Sequence, residues 1–371
     1  MKSYIMKVKK FLKQLKTLNS FDVKPSFSQI IDMVVLGLRY GFSPLEYNLY
    51  DFKDISRKER LSYISNEEII KKLRPTLNNK KWASILENKL FFSLFYTPFG
   101  LPLVDIYGFY YPGKGFFLDG TPLRNKEDFL VWFQKMRIKN LVVKPVASLG
   151  GKGIMIFSEF ISSDVVRSND GKSYSIDEVF SFMDNDINGR QRKEDPYQGY
   201  IIEEKLEQDI SMKIFGSSLN TVRVSTLRKK SGEILIDFAM LRMGEKGSIT
   251  DNLHQGGYVV NINVEDGTLA NTVFGYRDKE GPWIEEKEVK IDELFEDRKI
   301  PYWRDILLLA RKAAYLSPDL SSIGWDIAIS KDGTILMEGN ENWDIVIAQV
   351  IDGGYITERR KGILKQYGLE F

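Results

Sequence analysis

The sequence predicts an α+β fold with mostly antiparallel sheets, and three observations carry that prediction. Residues 1–75 show apolar side chains at helical spacing. From about residue 87 the pattern changes to short apolar runs separated by glycine-rich turns, as expected of strands and hairpins. Helical spacing then returns only at 126–136 and 304–316. A chain of 371 residues, 43% hydrophobic and 13% aromatic, can bury the core this needs, and its length suits two or three domains.

Each element has its own signal. Ile5, Val8, Leu12 and Leu15 recur at three and four, with Lys7, Lys9, Lys10, Lys13 and Lys16 between them. Such a basic amphipathic helix suits an anionic membrane surface. The preferred reading is a helix docked on its own domain, its basic face in solvent. Ser65-Asn66-Glu67-Glu68 opens another helix with an N-cap signature. Strands are expected at 141–143 (ending at Lys144-Pro145), 155–157, 200–202, 222–224, 234–236 and 258–262. Asn125 opens the helix at 126–136, and the helix at 304–316 closes before Pro318.

Composition excludes several chemistries. With no cysteine and one histidine, His254, there is no disulfide scaffold, thiolate zinc site, cysteine nucleophile or multi-histidine metal site. A metal, if used, is a hard cation on oxygen ligands, such as Mg²⁺. The 53 basic and 51 acidic residues are too balanced to imply a nucleic-acid partner. Residues 1–20 show no secretory pattern and no apolar run approaches 18 residues, so the expected location is cytoplasmic. P-loop, G-x-G-x-x-G and G-x-S-x-G motifs are missing.

Four segments carry the chemistry. The first, GWDIAISKDGTILMEGN at 324–340, reads as a hairpin. A two-residue Asp332-Gly333 turn would set Asp326 opposite Gly339. A three-residue loop with Gly333 in the left-handed region sets Asp326 opposite Glu338, with Asn340 on the same face. The second register is preferred because it gathers Ile327, Ile329, Ile335 and Met337 on the buried face. Two carboxylates and an amide oxygen then make a hard-cation site, although polar residues on the wet face of an ordinary hairpin fit the same pattern.

The second segment, KPVASLGGKG at 144–153, sets a lysine at a strand end before a glycine loop. That arrangement cradles phosphates, and equally serves a plain turn. The third, YIIEEKL at 200–206, is a strand running into acidic residues. Its end could offer backbone groups to an adenine edge and a carboxylate to a ribose. The fourth, NTVR at 220–223, carries Arg223 between apolar neighbours, so it needs an anionic partner, either a protein carboxylate or a substrate phosphate.

In this order the four segments resemble the ATP-grasp superfamily over roughly 87–371. The nearest likeness is its sugar-transfer-associated branch, linked to bacterial capsule and exopolysaccharide synthesis. The matching stretches are NKLFFSLFYTPFGLPLV, VVKPVASLGGKGI, IIEEKLEQD, NTVRVSTL, DNLHQGGYVVNINVEDG and GWDIAISKDGTILMEGN, with GFSPLEYNLYDF upstream. The resemblance implies a helical region at 1–86, a subdomain at 87–200 bearing a glycine-rich lid, and a subdomain at 201–371 bearing the metal site, the last two clasping ATP.

It also implies roles. Lys89 and Lys144 match lysines that reach the α- and β-phosphates. Gly150, Gly151 and Gly153 match a lid over the triphosphate, with Ser148 and Lys152 in the same loop. Glu203, Glu204, Lys205 and Leu206 fall at the adenine hinge, and Asp209 at the ribose. Asp326, Glu338 and Asn340 match the ligands of two Mg²⁺ ions. Arg223 and Arg242 match cations that steady the transferred phosphoryl group. Asn252, Gly256 and Gly257 approach the substrate, and His254 reads as a polar loop residue in preference to a phosphohistidine or base. After Asn340 the usual Pro-Gly turn is replaced by Glu341-Asn342-Trp343-Asp344, which leaves the substrate side open.

The implied reaction joins a carboxylate, such as a uronic acid or sugar-linked acid, to an amine through an acyl-phosphate. A kinase acting on a sugar or alcohol hydroxyl would use the same ATP site, as would a binding module without turnover. The intact Asp-Glu-Asn set favours an enzyme.

Overall fold

The computed structural model describes residues 2–20, 23–136, 138–148, 151–190, 197–214, 218–248, 251–277 and 283–371; the side chains of residues 2–8, 20 and 254 stand outside that description. Among the described residues, strands alternate with helices in two seven-stranded sheets. The first contains β1 (Ile106–Tyr110), β2 (Phe116–Phe117), β3 (Leu141–Pro145), β4 (Met155–Phe160), β5 (Val165–Ser168), β6 (Ser173–Ser175) and β7 (Tyr200–Glu203). Its order is β2-β1-β7-β3-β4-β5-β6. The second contains β8 (Thr221–Arg228), β9 (Ile234–Met243), β10 (Tyr258–Ile262), β11 (Leu269–Tyr276), β12 (Ile284–Lys287), β13 (Ser322–Ser330) and β14 (Gly333–Asn340). Its order is β12-β11-β10-β9-β8-β13-β14, and neighbours in both sheets run antiparallel.

β7 lies between β1 and β3, so the division expected after residue 200 falls inside a strand of the first sheet. The crossing segment follows Glu203 and is tied to the hairpin of the second sheet. Asp209 N–H donates to Ile329 O at 3.0 Å, and Lys331 N–H donates to Glu207 O at 3.1 Å.

Period-two alternation explains the packing. The first sheet lays Val143, Phe157 and Ile202 on the helices Lys126–Met136 and Ile176–Gly189. Asn125 caps the former, accepting from Asp128 N–H at 2.9 Å. The second sheet is covered on both faces. Val222, Val224 and Leu241 meet Ile306, Leu309 and Ala313 of the helix Trp303–Tyr315. Phe238, Met240 and Val259 meet Ile347, Ile363 and the 64–77 segment on the other side. A sheet sandwiched this way buries every residue of β13.

The N-terminal region is helical, with Lys2–Ser20, Phe27–Tyr40, Pro44–Leu49 and shorter turns up to Lys80–Glu87. Of the stripe that the spacing of the first helix suggests, Leu15 packs on the core and Leu12 does not. Leu18 is fully buried and Phe11 and Leu15 pack beside it, whereas Leu12 is 53% exposed. Ile5 and Val8 carry side chains outside the described set.

Candidate active site

The site grows from the β13–β14 hairpin. Asp326 stands opposite Glu338, as the sequence suggests, but by a different route. The loop is Lys331-Asp332, with Ser330 opposite Gly333 and Ile327 opposite Leu336; a bulge at Met337 then shifts the pairing by one. Gly333 has φ +121°, away from the left-handed conformation of the expected three-residue loop. The two-residue loop also changes which side chains face inward. Leu336, not Ile335 and Met337, joins Ile327 and Ile329 in the core. Between Glu338 and Asn340, Gly339 lies against Trp325, where an added Cβ would come within 2.8 Å of the ring. Only glycine lets the hairpin sit that close to the buried indole.

β8 and β9 bring the cations. Arg223 pairs with Asp326 across β8–β13, and Arg242 sits opposite Thr221 across β8–β9. Arg223 donates from Nε to Asp326 Oδ1 and from Nη2 to Oδ2, both at 2.6 Å. Arg242 Nη1 donates to the same Oδ2 at 2.7 Å, and its Nη2 lies 3.1 Å from Asp251 Oδ1. Asp251 in turn accepts a short hydrogen bond from the Thr221 hydroxyl. Burial pushes the Asp326 carboxyl up, but the guanidinium groups of Arg223 and Arg242 outweigh it and hold it well below the usual carboxylate range. Asp251 shifts the other way: its burial outweighs Arg242, and its pKa is raised.

Asp251 and Thr221 are members of the site that the sequence did not single out. Asp251 sits beside Asn252 in the DNLHQGG stretch, and only the lateral order of β8, β9 and β13 joins it to Asp326 through Arg242.

Lys89 links the two sheets. It opens the helix Lys89–Tyr96, capped by Asn88, and its N–H donates to Val146 O at 2.8 Å, just beyond β3. Its Nζ lies 3.7 Å from Glu338 Oε2. Burial lowers the Lys89 pKa, with Glu338 opposing and the nearby Lys144 reinforcing. Lys144, at the end of β3, is buried and pairs with Glu203 of β7 at 2.6 Å. Glu203 is thus engaged with the lysine, and its side chain does not stand open to a ligand.

The remaining nominated residues fall into three groups. Glu204, Lys205 and Leu206 lie on the crossing segment; Lys205 Nζ donates to Asn169 Oδ1 at 2.7 Å, and Glu204 N–H donates to Asp105 O at 2.9 Å. Asp209 accepts from the N–H and hydroxyl of Ser211, at 2.9 and 2.6 Å, so it caps a 3₁₀ turn. In the β3–β4 connection Ser148 is half-buried and Lys152 exposed, and Gly151 and Gly153 have φ +72° and +78°. Gly150 lies outside the described residues. Gly153 packs closely, since an added Cβ would meet Pro145 Cγ at 2.9 Å.

Asn252 and Gly256-Gly257 flank the 3₁₀ turn Leu253–Gln255, and Gly257 N–H donates to Asn252 O at 3.1 Å. His254 belongs to that turn, its side chain outside the described set. The unusual stretch after Asn340 has a structural role. Trp343 is fully buried, stacks on Phe238 and donates from Nε1 to Ser322 Oγ at 3.0 Å; Asp344 caps the following helix, Ile345–Asp352.

These side chains balance. The cations Lys89, Lys144, Arg223 and Arg242 stand among the carboxylates of Glu203, Asp251, Asp326 and Glu338. A highly charged anion entering such a neutral cluster is best accompanied by a cation of its own. The donor set suits a hard cation. Asp326 Oδ1 receives one N–H, and Glu338, with a 32% exposed side chain, has acceptor capacity to spare. Asn340 directs its amide nitrogen at Asp326 and Glu338, 3.4 and 3.3 Å away, so it must turn its amide over to offer oxygen. No cluster of three Asp, Glu or His side chains suited to a metal occurs among the described residues. The set here is two carboxylates and an amide.

Comparison with known families decides the lineage. The model of the family described as sugar-transfer associated ATP-grasp matches residues 68–365. The chain belongs to that family. The matched span of the ATP-grasp chain contains all eight charged groups above and begins after the helices Lys2–Ser20 and Phe27–Tyr40.

Solved structures similar to this ATP-grasp chain include a biotin carboxylase from Campylobacter jejuni, at 9% identity and TM-score 0.43, with 76% of this chain and 49% of that one covered. The D-alanyl-alanine synthetase A of Vibrio cholerae follows at 10% and 0.43, covering 79% and 64%. The N5-carboxyaminoimidazole ribonucleotide synthetase of Thermotoga maritima stands at 12% and 0.33, covering 70% and 42%. The chain therefore spans less than two thirds of the length of each. A comparison with curated proteins gave no match. No helix among the described residues is long and apolar enough to cross a membrane.

Proposed function

We propose that this chain is an ATP- and Mg²⁺-dependent carboxylate–amine ligase, acting on a uronic acid or other sugar-linked carboxylate in bacterial surface-polysaccharide synthesis. The carrying observation is the Asp326–Glu338–Asn340 set sharing one buried cluster with Arg223 and Arg242. Family membership supports ATP as co-substrate, and the family description supports a sugar-linked acceptor.

On this reading Asp326, Glu338 and Asn340 hold the divalent cations, two by family resemblance. A bound cation supplies neutralisation of phosphate charge and polarises the phosphoryl oxygens. Lys89 and Lys144 bind phosphate oxygens, Lys144 being positioned by Glu203. Ser148, Gly151, Lys152 and Gly153 cover the triphosphate and exclude water from the reactive acyl-phosphate. The crossing segment at 204–206 receives the adenine edge through its backbone, and Asp209 lies toward the ribose.

Arg223 and Arg242 orient the substrate carboxylate and steady the transferred phosphoryl group. Asp251 fixes Arg242 from behind. The carboxylate oxygen attacks the γ-phosphorus and ADP leaves. The amine then displaces phosphate, loses a proton and forms the amide, with no protein nucleophile required. Asn252, Gly256 and Gly257 line the approach of the acceptor.

The test is product analysis with purified protein, Mg·ATP, hexuronic acids and a panel of amino acids and amino alcohols. ADP and phosphate in equal amounts, with both co-substrates required, support the ligase. ADP with a phosphorylated acceptor and no amide points to a kinase instead.

A further inference from the structure

The helix Phe27–Tyr40 has two apolar faces. Met33 and Leu36 point into the N-terminal core. The opposite side should be polar on a helix of a soluble domain, and it is not. Phe27 is 79% exposed and Leu38 70%, with Ile31, Val34 and Val35 exposed between them. At 100° per residue Phe27, Ile31, Val34 and Leu38 fall in one narrow stripe along the helix. The only acid of the helix, Asp32, is turned away from that stripe toward Arg60, at 2.5 Å, and the Tyr47 hydroxyl, at 3.1 Å.

Charge shows what the stripe meets. Residues 1–26 hold seven lysines and a single acid, Asp22, in a chain whose total charge is +2, so the remainder is net negative. Lys24 is exposed three residues before Phe27, and Arg39 is exposed beside Leu38. The preceding helix exposes Lys9, Lys10, Lys13 and Lys16. Both helices pack on one aromatic core through Leu18, Met33 and Phe52, which fixes the lysines and the stripe on one body.

We propose that this N-terminal face binds the surface of an anionic lipid bilayer, the stripe of Phe27–Tyr40 entering the headgroup boundary while the lysines meet lipid phosphates. An apolar face flanked by lysines is the composition of an interfacial helix, where burial and attraction to anionic lipid add. A second copy of the chain is the weaker partner, because pairing two such faces brings two sets of lysines together. The first helix docks by Phe11, Leu15 and Leu18 and exposes Leu12 beside its lysines. Both helices precede the span matched to the family, so the surface belongs to a part of the chain added to the catalytic fold.

The experiment is vesicle co-sedimentation of the full chain, comparing phosphatidylcholine alone with phosphatidylcholine containing phosphatidylglycerol, at low and high salt. Wild type should pellet with the anionic vesicles at low salt and partition about tenfold less onto the neutral ones. Phe27→Ser with Leu38→Ser should weaken anionic binding roughly tenfold or more while leaving the melting curve and Mg·ATP turnover unchanged. Lys10→Glu with Lys13→Glu should remove much of the lipid-charge preference. Equal pelleting with both vesicle types, no pelleting with either, or full binding by the Phe27/Leu38 variant would overturn the proposal. So would a wild-type dimer in sedimentation velocity that Leu38→Ser returns to monomer, since the stripe would then be covered by a second copy.

Discussion

The β13–β14 hairpin and the β3–β4 connection meet at Lys89, which feels Glu338 on one side and Lys144 on the other. The hairpin side is over-determined. Asp326 takes four N–H donors from Arg223, Arg242 and Asn340, and the strand beneath it is buried at every position. On the β3 side one buried pair, Lys144–Glu203, is followed by a connection in which Gly151 and Gly153 are left-handed and Lys152 lies in solvent. On the proposed reading, one wall keeps cation-ligating oxygens fixed at high charge density. The other anchors a single cation and then changes to backbone that offers N–H groups. A cation-holding surface must not reorganise, whereas a phosphate-covering loop must let its ligand in.

The most severe test of that contrast is Asp326→Ala. It strands the buried Arg223 guanidinium, leaves Arg242 with Asp251 alone, and should lower stability by about 3–5 kcal/mol in urea unfolding. A variant as stable as wild type would break the comparison. Glu338→Ala, on the same hairpin but part-exposed, should leave stability within about 1 kcal/mol while Mg·ATP turnover falls by roughly 10²–10³-fold. Turnover near the wild-type level would remove Glu338 from the metal set.

On the opposite wall, Lys144→Ala should weaken a non-hydrolysable ATP analogue by about tenfold in calorimetry. It also leaves Glu203 buried without its partner, so Lys144→Met with Glu203→Gln is the cleaner variant: stability recovers and affinity does not. Unchanged affinity in both would move the phosphate site elsewhere. Gly153→Ala should lower the melting temperature, with about 1–2 kcal/mol of stability lost to φ +78° and the contact with Pro145 adding to it.

The pairing of Asp326 with Glu338 was legible because a hairpin ties two positions through a short loop, and only a few loop lengths are open. The bulge at Met337 was not, since a two-residue loop plus a bulge yields the same pairing there as a three-residue loop. The difference appears only in which residue, Leu336 or Met337, turns inward. Arg223 announced its need for an anion by standing in an apolar strand. Asp251 announced nothing, because its partner Arg242 and their common neighbour Asp326 come from strands joined only by sheet order. The exposed stripe of Phe27–Tyr40 was equally hidden: a helix with apolar residues on two faces reads as a buried one until its surroundings are known.

Lys89, Lys144, Arg223 and Arg242 each stand beside a carboxylate, so the charges of the site pair off locally, and the chain as a whole carries only +2. A metal-bound nucleotide therefore arrives without long-range steering, and its association rate is set by diffusion and orientation. Raising ionic strength from about 0.01 to 0.15 M, which shortens the screening length from roughly 30 to 8 Å, should leave that rate nearly unchanged in stopped-flow measurements. On the proposed reading, recognition is a short-range exchange of partners, in which the lysines and arginines trade a protein oxygen for a ligand oxygen only on contact.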